Sequence, residues 1–281
     1  MSRRIAFVTG ASRGIGRASA VALATAGFDV AVSARTLVDG TAHLEDGTTP
    51  LPGGLDTTVK EIEAAGGRGF AVPMDLLDRE SVFRAADQTI EHFGRIDVLL
   101  NNAIYQGPGA MQEMLEVEET EILRMFEANV HAQVALTKHL LPGFVAQGGA
   151  IVMNMISATA RLDPPGRIGK GGWGMAYAMT KAAFERVAPL LCVEHAADGV
   201  VAYSIDPGHV TTEKMKLTSG DKGFEEHFIG TPPEVVGAAV AWLATDPDAP
   251  QAYGGKIVEA LREAKKRQLV PGWPPPRPKR G

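Results

Sequence analysis

The glycine-rich segment 9–16, Thr-Gly-Ala-Ser-Arg-Gly-Ile-Gly, constrains the fold of this chain more than any other segment. It follows a short apolar run and precedes an alanine-rich stretch, 17–26, that has the composition of a helix. Gly10 allows a sharp turn after a strand, Gly14 lets the backbone approach a pyrophosphate, and Gly16 lets the helix pack closely. The N–H groups and the positive dipole end at the helix start favour phosphate. The segment therefore predicts the strand–turn–helix unit of a dinucleotide-binding sheet, with a tight turn that binds no ligand as the alternative.

Apolar strands and helical segments alternate along the rest of the chain. The predicted strands cover 5–8, 29–34, 68–74, 97–100, 150–156, 200–205 and 256–258. This rhythm predicts a doubly wound, Rossmann-type α/β fold, in which a parallel sheet of about seven strands carries helices on both faces. Because no linker interrupts the alternation, we expect a single domain over 1–270 and a proline-rich basic tail over 271–281.

Three helical segments carry further signals. The stretch 118–145 reads as one long helix, and the stretch 176–197 should be interrupted or bent at Pro189. The run Thr-Pro-Pro-Glu at 231–234 has the pattern of a capping box, with proline at the first helical position. These signals predict where helices begin and bend in the second half of the chain.

Composition excludes several classes of function. The net charge of −5 gives no electrostatic basis for nucleic acid or an anionic membrane as the main partner. No run of 18 apolar residues exists, so no membrane span is expected, and the single Cys192 excludes an intramolecular disulfide. Since the first strand begins by Ile5, it leaves no room for a signal peptide, and we expect a cytoplasmic protein. No metal ion is expected in the site.

Polar residues follow several predicted strands at their carboxyl ends. They are Ser12, Arg35, Asp75, Asn102, Ser157, Thr211 and Thr212. Ligands bind at this edge of a doubly wound sheet, where the strand order reverses, so the residues predict a binding site. We expect Asp75 to contact adenine and Asn102 with Ala103 to lie along the cofactor ribose. Turn capping is the alternative explanation for each of them.

The end of the second strand indicates which dinucleotide is preferred. A site for NAD carries a carboxylate about 20 residues after the glycines, which holds the ribose 2′-hydroxyl. Here Ala34 stands near that position, Arg35 follows it, and Arg13 lies within reach. Two guanidiniums without an acid suit a 2′-phosphate, so we expect NADP(H) in preference to NAD(H), with solvated arginines as the alternative. The adjacent insert 36–56 is either a cofactor flap or a plain surface excursion, and we favour the excursion.

Tyr177 and Lys181 form the decisive pair of residues. Their spacing of four places them on one helix face, one turn apart. A free phenol, with a pKa near 10, exchanges protons poorly at neutral pH, and a nearby ammonium lowers the pKa of a phenol. The pair therefore predicts a tyrosine tuned for general acid–base chemistry, although Tyr-x3-Lys by itself also occurs on solvated helices.

Taken together, these motifs resemble the classical short-chain dehydrogenase/reductases over about 4–212. The matching residues are Thr9 to Gly16, Asp75-Leu76, Asn101-Asn102-Ala103, Asn129, Ser157, Tyr177, Lys181 and Pro207-Gly208-x-Val210-x-Thr212. The resemblance implies an NAD(P)-dependent oxidoreductase that interconverts a carbonyl and an alcohol by hydride transfer. The hydride belongs to the cofactor, while the protein orients it and supplies the proton path.

The resemblance also implies a role for each site residue. Tyr177 would be the general acid–base, Ser157 would bond the substrate oxygen, and Asn129 would hold a water of the proton relay. Lys181 would lower the pKa of Tyr177 and hold the nicotinamide ribose, and 207–212 would carry the carboxamide. The implied cofactor-binding residues are Gly10, Ser12, Arg13, Gly14, Ile15, Gly16, Arg35, Asp75, Leu76, Asn102, Ala103, Tyr177, Lys181, Pro207, Gly208, Val210 and Thr212.

The chain departs from the family pattern at three points. Ile104 stands where glycine usually follows Asn-Asn-Ala, and Ser157 precedes Tyr177 by 20 residues, several more than usual. The extra residues, in 163–174, form a loop that should border the substrate. The usual Val-Asp-Gly-Gly ending is replaced by a sequence that leads into a helix at 259–268, which puts the usual packing of the last strand between subunits in doubt.

The segment 213–231 stands where this family carries its substrate lid. Met215, Leu217, Phe224 and Phe228 of the lid could form an apolar wall opposite Trp173 and Met175. We therefore expect an apolar or bulky carbonyl or alcohol as substrate, or else simple packing of the lid onto the body. The alternatives to this enzyme are a sugar epimerase or dehydratase, against which the glycine spacing argues, and a cofactor-binding sensor or scaffold with little turnover.

Subunit association is the last expectation. The helices around Asn129 and Tyr177 carry more apolar positions than one sheet face can cover. Because the resembling family buries such surface between subunits, we expect a homodimer or homotetramer.

Overall fold

The computed structural model describes residues 3–44, 46–219 and 230–275. Their strands are β1 (Ile5–Thr9), β2 (Asp29–Ala34), β3 (Ala42–His43), β4 (Pro50–Leu51), β5 (Gly69–Pro73), β6 (Val98–Asn101), β7 (Ala150–Met155), β8 (Val200–Asp206) and β9 (Ile257–Glu259). Seven of them form one parallel sheet in the order β5-β2-β1-β6-β7-β8-β9. The other two, β3 and β4, pair as a small antiparallel ribbon inside the insert 36–56.

Helices cover both faces of the sheet. They are α1 (Gly14–Thr25), α2 (Leu55–Ala64), α3 (Arg79–Phe93), α4 (Glu119–Phe126), α5 (Ala132–Ala146), α6 (Met175–Glu185), α7 (Val187–His195), α8 (Glu213–Ser219), α9 (Pro233–Thr245), α10 (Ala249–Tyr253) and α11 (Ala260–Arg267). Successive residues of a strand point to opposite faces, so Val8 packs with α1, α2 and α9, while Phe7 packs with α3, α5 and α7. The two cores confirm the predicted doubly wound α/β sheet as a single Rossmann-type domain.

The strand order sets the position of the site. β1 and β2 are buried along their whole length, which is typical of parallel strands covered on both faces. β1 has β2 on one side and β6 on the other, so the chain reverses direction across the sheet at β1. A crevice opens beyond the carboxyl ends of strands at such a point.

Two predicted helices are interrupted. The stretch 118–145 is divided into α4 and α5 by a π-helical turn, Glu127–His131, that contains Asn129. The stretch 176–197 breaks at Arg186, between α6 and α7, so Pro189 falls in the first turn of α7. Proline is tolerated there because the first N–H groups of a helix have no intrahelical partner. The predicted interruption is therefore found, three residues before the proline.

The predicted capping box at 231–234 is wrong. Thr231 pairs its backbone with His209 and Thr211, which holds it in a β-bridge to Val210. The helix α9 consequently begins one residue later, with Pro232 at its N-cap and no side-chain cap. A proline does occupy the first helical position, but it is Pro233 and not Pro232, which the capping box implied.

The last segments of the chain follow the prediction in part. β9 and α11 are present near the predicted positions, and α11 packs onto α9. Residues 220–229 of the predicted lid, including Phe224 and Phe228, lie outside the described residues, as do residues 276–281 of the predicted tail. Among the helices that the structure describes, none is both long and apolar enough to cross a bilayer.

Candidate functional site

A cavity of about 780 Å³ lies at the carboxyl ends of the central strands. Its lining contains Ser157 and all of the cofactor residues that the sequence predicted, from Gly10 to Thr212. Asn129 and Thr211 are predicted site residues that do not line it. The lining residues, from Gly10 to Met215, are thus brought together around one space from distant parts of the chain.

The glycine turn at the start of α1 leaves no room for side chains. A Cβ on Gly16 would lie 2.2 Å from the carbonyl oxygen of Gly10, and a Cβ on Gly10 would lie 2.6 Å from Cα of Ala103. Gly10 also has a φ of +67°, in the left-handed region that favours glycine. These glycines let β1, β6 and α1 meet closely and leave the helix N-terminus facing the cavity, a geometry that fits a diphosphate.

Asn102 braces the same turn from β6. Its Nδ2 donates to the carbonyl oxygens of Thr9 at 2.9 Å and Gly10 at 3.2 Å. Thr9 Oγ1 in turn accepts from the backbone N–H groups of Asn102 and Ala103. Asn102 lines the cavity as predicted, but its side-chain amide is used to hold the turn.

A residue that sequence reasoning missed, Glu213, reaches this helix terminus. The N–H of Gly14 donates to Glu213 Oε2 at 3.0 Å, and Arg17 Nη2 lies 2.8 Å from Glu213 Oε1. The N-terminus of α1 therefore already accepts an anionic group in this structure. Because 196 positions separate Glu213 from Arg17, no local sequence signal could have predicted the contact.

The insert 36–56 packs against the glycine turn. Arg13 donates from Nε to the carbonyl oxygen of Pro52 at 2.8 Å and from Nη2 to that of Gly53 at 2.9 Å. A Cβ on Gly53 would lie 2.4 Å from the carbonyl oxygen of Ser12. Arg13 thus fixes the insert beside the predicted adenosine end, while of its described residues Thr36 alone lines the cavity, so the choice between a cofactor flap and a surface excursion stays a prediction.

Arg13 and Arg35 both line the cavity. Burial lowers the pKa of Arg13, and the neighbouring positive charge of Arg35 acts in the same direction, while Glu213 opposes it. Among the described residues, Arg35 makes no hydrogen bond or ion pair, and its side chain is exposed. Two guanidinium groups therefore lie at this end of the cavity. That of Arg13 is hydrogen-bonded to the insert, and that of Arg35 is exposed.

At the other end of the cavity, α6 presents Tyr177 and Lys181. Lys181 Nζ donates to the carbonyl oxygen of Met155, at the end of β7, at 2.7 Å. Its side chain is 3% exposed, and burial lowers its pKa to about 8. Because burial disfavours the charged ammonium, the pKa of Lys181 lies close to neutral pH, and its proton can be lost there more easily than from an exposed lysine.

The pKa of Tyr177 moves in the direction opposite to our prediction. Burial raises it, the neighbouring Ser157 hydroxyl lowers it, and the negative charge of Asp206 raises it. The reason is that the ammonium of Lys181 is turned to Met155 and does not outweigh the desolvation of the phenol. Ser157 itself accepts from the N–H of Thr159 at 3.3 Å, which fixes the start of the following loop.

Asn129 grips the loop after β6 with its side chain. Its Oδ1 accepts from the N–H of Tyr105 at 2.7 Å, and its Nδ2 donates to the carbonyl oxygen of Tyr105 at 3.0 Å. Gln133 Nε2 donates to the backbone oxygen of Asn129 at 2.9 Å. These bonds hold the segment where Ile104 replaces the usual glycine, and the role of Asn129 in a proton relay stays a prediction.

The reaction end is completed by loops that touch one another. Arg167 forms two charge-assisted bonds with Glu113, which join the extra loop to the segment after β6. Gly174 lies against the backbone of Ala110. Met111, Trp173 and Met215 give this end of the cavity apolar surface, next to polar lining residues such as Gln106, His209 and Lys214. Within the described ranges, no group of three or more His, Cys, Asp or Glu is arranged to hold a metal ion.

Comparison with known proteins agrees with this geometry. The chain matches the family model of the short chain dehydrogenases over residues 4–222. Short chain dehydrogenase mpl6 of Monascus purpureus is 32% identical over 253 residues, which cover 86% of this chain and 76% of that protein. A 3-oxoacyl-[acyl-carrier-protein] reductase of Synechocystis sp. is 28% identical over 254 residues, covering 89% of this chain and 92% of the reductase.

A solved structure shares the fold. It is a 7α-hydroxysteroid dehydrogenase complexed with NADH and 7-oxo glycochenodeoxycholic acid, with a TM-score of 0.72, 23% identity, and coverage of 91% of this chain and 92% of that one. This likeness concerns the fold, whereas the family model spans most of the chain and includes the glycine turn and the Tyr177–Lys181 pair. The chain therefore belongs to the short-chain dehydrogenase/reductase family and is an oxidoreductase that acts on CH–OH groups, in a family that binds NAD(P)(H).

Proposed function

We propose that this protein is an NADP(H)-dependent oxidoreductase that interconverts a carbonyl and a secondary alcohol, with Tyr177 as the general acid–base. One observation supports this most directly: Tyr177, Ser157 and Lys181 line the same cavity as the glycine turn of α1. One end of the cavity thus has the donors for a diphosphate, and the other has groups that can move a proton.

The bound nicotinamide would supply or accept the hydride. In the reduction, Tyr177 would donate its hydroxyl proton to the substrate carbonyl oxygen, and in the oxidation it would take that proton back. Burial keeps the phenol protonated, which is the state that a donor needs. Ser157 would donate a hydrogen bond to the same substrate oxygen. Lys181, with a pKa of about 8, would exchange a proton with the phenol near neutral pH.

The preference for NADP(H) rests on Arg13 and Arg35. Both line the cavity beside the end of β2, where the neutral Ala34 stands in place of a carboxylate. A 2′-phosphate would give the exposed guanidinium of Arg35 an anionic partner, and Arg13 would support it from the insert. The insert 36–56 would in this way belong to the cofactor site.

The substrate would be apolar or bulky. Met111, Trp173 and Met215 supply apolar surface at the reaction end, and α8 begins the segment 213–231 that we propose as a substrate lid. Apolar surface of this kind selects ligands by shape and apolar area, while polar lining groups such as Gln106 and His209 would fix their orientation. The chemistry of the pocket favours a carbonyl or alcohol on an apolar frame over a sugar.

Replacing Tyr177 by Phe tests the proposed catalysis. Without the hydroxyl proton, turnover should fall by about 10²–10⁴-fold, while NADPH binding, measured by fluorescence titration, should change little. Tyr105→Phe is the matched control, because Tyr105 also lines the cavity but directs its hydroxyl to Glu121 at 3.0 Å. It should retain most of the turnover. Unchanged turnover in Tyr177→Phe would refute the role of this tyrosine and favour the sensor alternative.

Replacing Arg35 by Ala tests the cofactor preference. Charge-assisted hydrogen bonds contribute about 1.5–3 kcal/mol, so NADPH should bind about 10- to 150-fold more weakly while NADH binding stays within about twofold. Arg35→Lys keeps the charge without the fork and should lie between the two. Equal losses for NADPH and NADH would contradict a 2′-phosphate site at Arg35.

We also propose that the chain forms a homodimer or homotetramer. Leu123 on α4, Met179 on α6, and Leu190 and Val193 on α7 are exposed apolar side chains on the helices for which we expected a subunit interface. Burial of such surface between subunits stabilises an assembly. Sedimentation at micromolar concentration should show an oligomer, and a monomer would contradict this proposal.

A further inference from the structure

A group of charged side chains links the loop after Ser157 to both α6 and β8. Arg161 Nη2 lies 2.8 Å from Asp206 Oδ2, and Arg161 Nε lies 3.5 Å from Glu185 Oε2. The two carboxylate side chains are largely buried, 9% exposed for Asp206 and 14% for Glu185, and Arg161 is 32% exposed. Three separate elements therefore meet at one guanidinium.

Both carboxylates adjoin the reaction end of the cavity. Glu185 is the last residue of α6 and follows Tyr177 by eight positions and Lys181 by four, so the three share one helix face. Asp206 is the last residue of β8, and its Oδ1 accepts from the N–H of Gly208, which lines the cavity, at 3.0 Å. Arg161 thus connects the helix that carries the reactive phenol to the turn that we expect under the nicotinamide carboxamide.

The charges explain why this connection matters. Asp206 lies close enough to Tyr177 to raise the pKa of its hydroxyl, although burial is the larger cause. Without Arg161, two buried carboxylates would face each other with no cation between them, and such an uncompensated pair is strongly unfavourable. We expect the end of β8 and the end of α6 to move apart in that case.

We propose that Arg161 is a positioning residue, which fixes α6 against the end of β8 and balances the negative charge of Asp206 beside the Tyr177 hydroxyl. The proposal rests on the proposed role of Tyr177 as acid–base. Arg161 lies between Ser157 and Tyr177, in the interval of 20 residues that exceeds the usual family spacing. The longer loop would then help to position α6 at the reaction end.

Other groups near the phenol would act on it independently of Arg161. Lys181 lies on the same helix, and Tyr105, from the loop after β6, packs against the same small apolar cluster as Tyr177 and donates its hydroxyl to the Glu121 carboxylate of α4. His209 lines the same cavity from the turn after β8. Lys181 bonds to Met155, and Tyr105 bonds to Glu121, so a shift in the Tyr177 pKa when Arg161 is changed would report on the Arg161–Asp206 pair.

Four variants test the proposal. Arg161→Met removes the charge but keeps an apolar stem, and Arg161→Lys keeps the charge without the fork. The double variant Arg161→Met/Asp206→Asn removes one of the two carboxylates left without a cation and guards against simple failure to fold. Arg84→Met is the matched control, because Arg84 lies on α3, outside the cavity lining, and pairs with Asp78 and Glu80 at the surface.

Two measurements distinguish positioning from general stability. The first is the pH dependence of kcat for an alcohol or ketone from a panel, and the second is tyrosinate absorbance against pH, with Tyr177→Phe subtracted. Arg161→Met should lower kcat by about 10- to 100-fold and move the Tyr177 pKa upward. Arg161→Lys should recover part of both, the double variant should return the Tyr177 pKa to near its wild-type value, and Arg84→Met should leave kcat and this pKa unchanged.

A wild-type kcat and an unshifted tyrosinate titration in Arg161→Met would overturn the proposal, as would an equal effect of Arg84→Met. The tyrosinate titration needs no substrate, so it judges Arg161 even if Tyr177→Phe shows that the phenol is not the acid–base. Failure of the proposed function and failure of this inference therefore give different results.

Discussion

The two ends of the cavity are built in different ways. At the diphosphate end, the glycine turn of 9–16 and the residues directly after β2, β5 and β6 form the wall, each within a few positions of a strand end. At the reaction end, the wall consists mainly of the long segments 104–111, 157–173 and 207–215. The turn at the first end is closed by backbone contacts, with side-chain bonds from Asn102 and Glu213 added to it, whereas the second end depends on ion pairs between side chains of separate loops.

This difference shows where each kind of specificity comes from. A backbone turn with no space for a Cβ recognises a group that all cofactors of a family share, the diphosphate. Loops joined by side chains, such as Arg161 to Asp206 and Arg167 to Glu113, can change without disturbing the sheet. The diphosphate end should therefore tolerate substitution poorly, and the reaction end should respond through charge and position.

The largest expected effect is at Gly16. In Gly16→Ala the new methyl group would meet the carbonyl oxygen of Gly10 at 2.2 Å, and neither backbone segment can move away without opening the turn. NADPH and NADH binding should both fall below detection in fluorescence titrations, with a lower melting temperature. Gly143→Ala is the control, because Gly143 lies in α5 with nothing within 4 Å of its Cβ position, and it should bind both cofactors like the wild type. Normal cofactor binding by Gly16→Ala would contradict the expectation that the diphosphate end tolerates substitution poorly.

A smaller effect, on stability, is expected at Lys181. The unfolded chain holds this proton up to a pKa of 10.5 and the folded protein only to about 8, so the unfolded state binds more protons between these values. Burial of the charge is therefore unfavourable at neutral pH, and the cost disappears as pH rises from about 8 to 10.5. Lys181→Met should raise the free energy of unfolding by about 2 kcal/mol at pH 7, after loss of the bond to Met155, and by less at pH 10.

Urea unfolding at several pH values measures this difference. Lys138→Met, at an exposed lysine of α5, is the control and should show little change at any pH. If Lys181→Met were destabilised equally across the pH range, the buried ammonium would not carry the cost that we assign to it. A stabilised but inactive variant would show that the reaction end is arranged for proton transfer at the expense of stability.

The smallest expected effect concerns Glu213, which joins the two ends. It follows Thr212 of the reaction-end turn, yet its carboxylate accepts from Gly14 at the helix terminus, next to the expected diphosphate. Glu213→Gln removes a negative charge there and keeps an acceptor, so NADPH should bind a few-fold more tightly. Glu61→Gln removes the other carboxylate near Arg17, at 3.8 Å on α2, and should leave the affinity unchanged. Weaker NADPH binding in Glu213→Gln would mean that this carboxylate mainly stabilises the turn and does not oppose the cofactor's negative charge.

Local sequence was sufficient to predict those features that depend on a residue's own backbone conformation or on its helix face. The second strand is found at Asp29–Ala34 as predicted, because an alternating run of strands and helices leaves few topologies. The cap of α3 is equally local, because Asp78 accepts from the N–H of Ser81 three residues later. Glycines, caps and apolar runs act within a few residues, so their consequences can be deduced without knowing the fold.

The departures have a common physical cause. Thr231, which we predicted as a helix cap, forms a β-bridge to Val210, and the insert 36–56 packs against Arg13. In the same way, the pKa of Tyr177 was raised by burial, which no spacing of residues reveals. Each outcome depends on a contact or a desolvation that arises only once distant segments have packed.

From the sequence alone, the glycine spacing, the strand rhythm and the Tyr177–Lys181 pair determined the doubly wound sheet, the family and the edge at which the site lies, because these signals are local and periodic. Tertiary structure alone decided which charged and polar groups pair. It brought Glu213 to Gly14, Arg161 to Asp206 and Asn129 to Tyr105. Electrostatic and hydrogen-bonding partners of this kind are set by distance in space and by burial, neither of which is written into the order of residues.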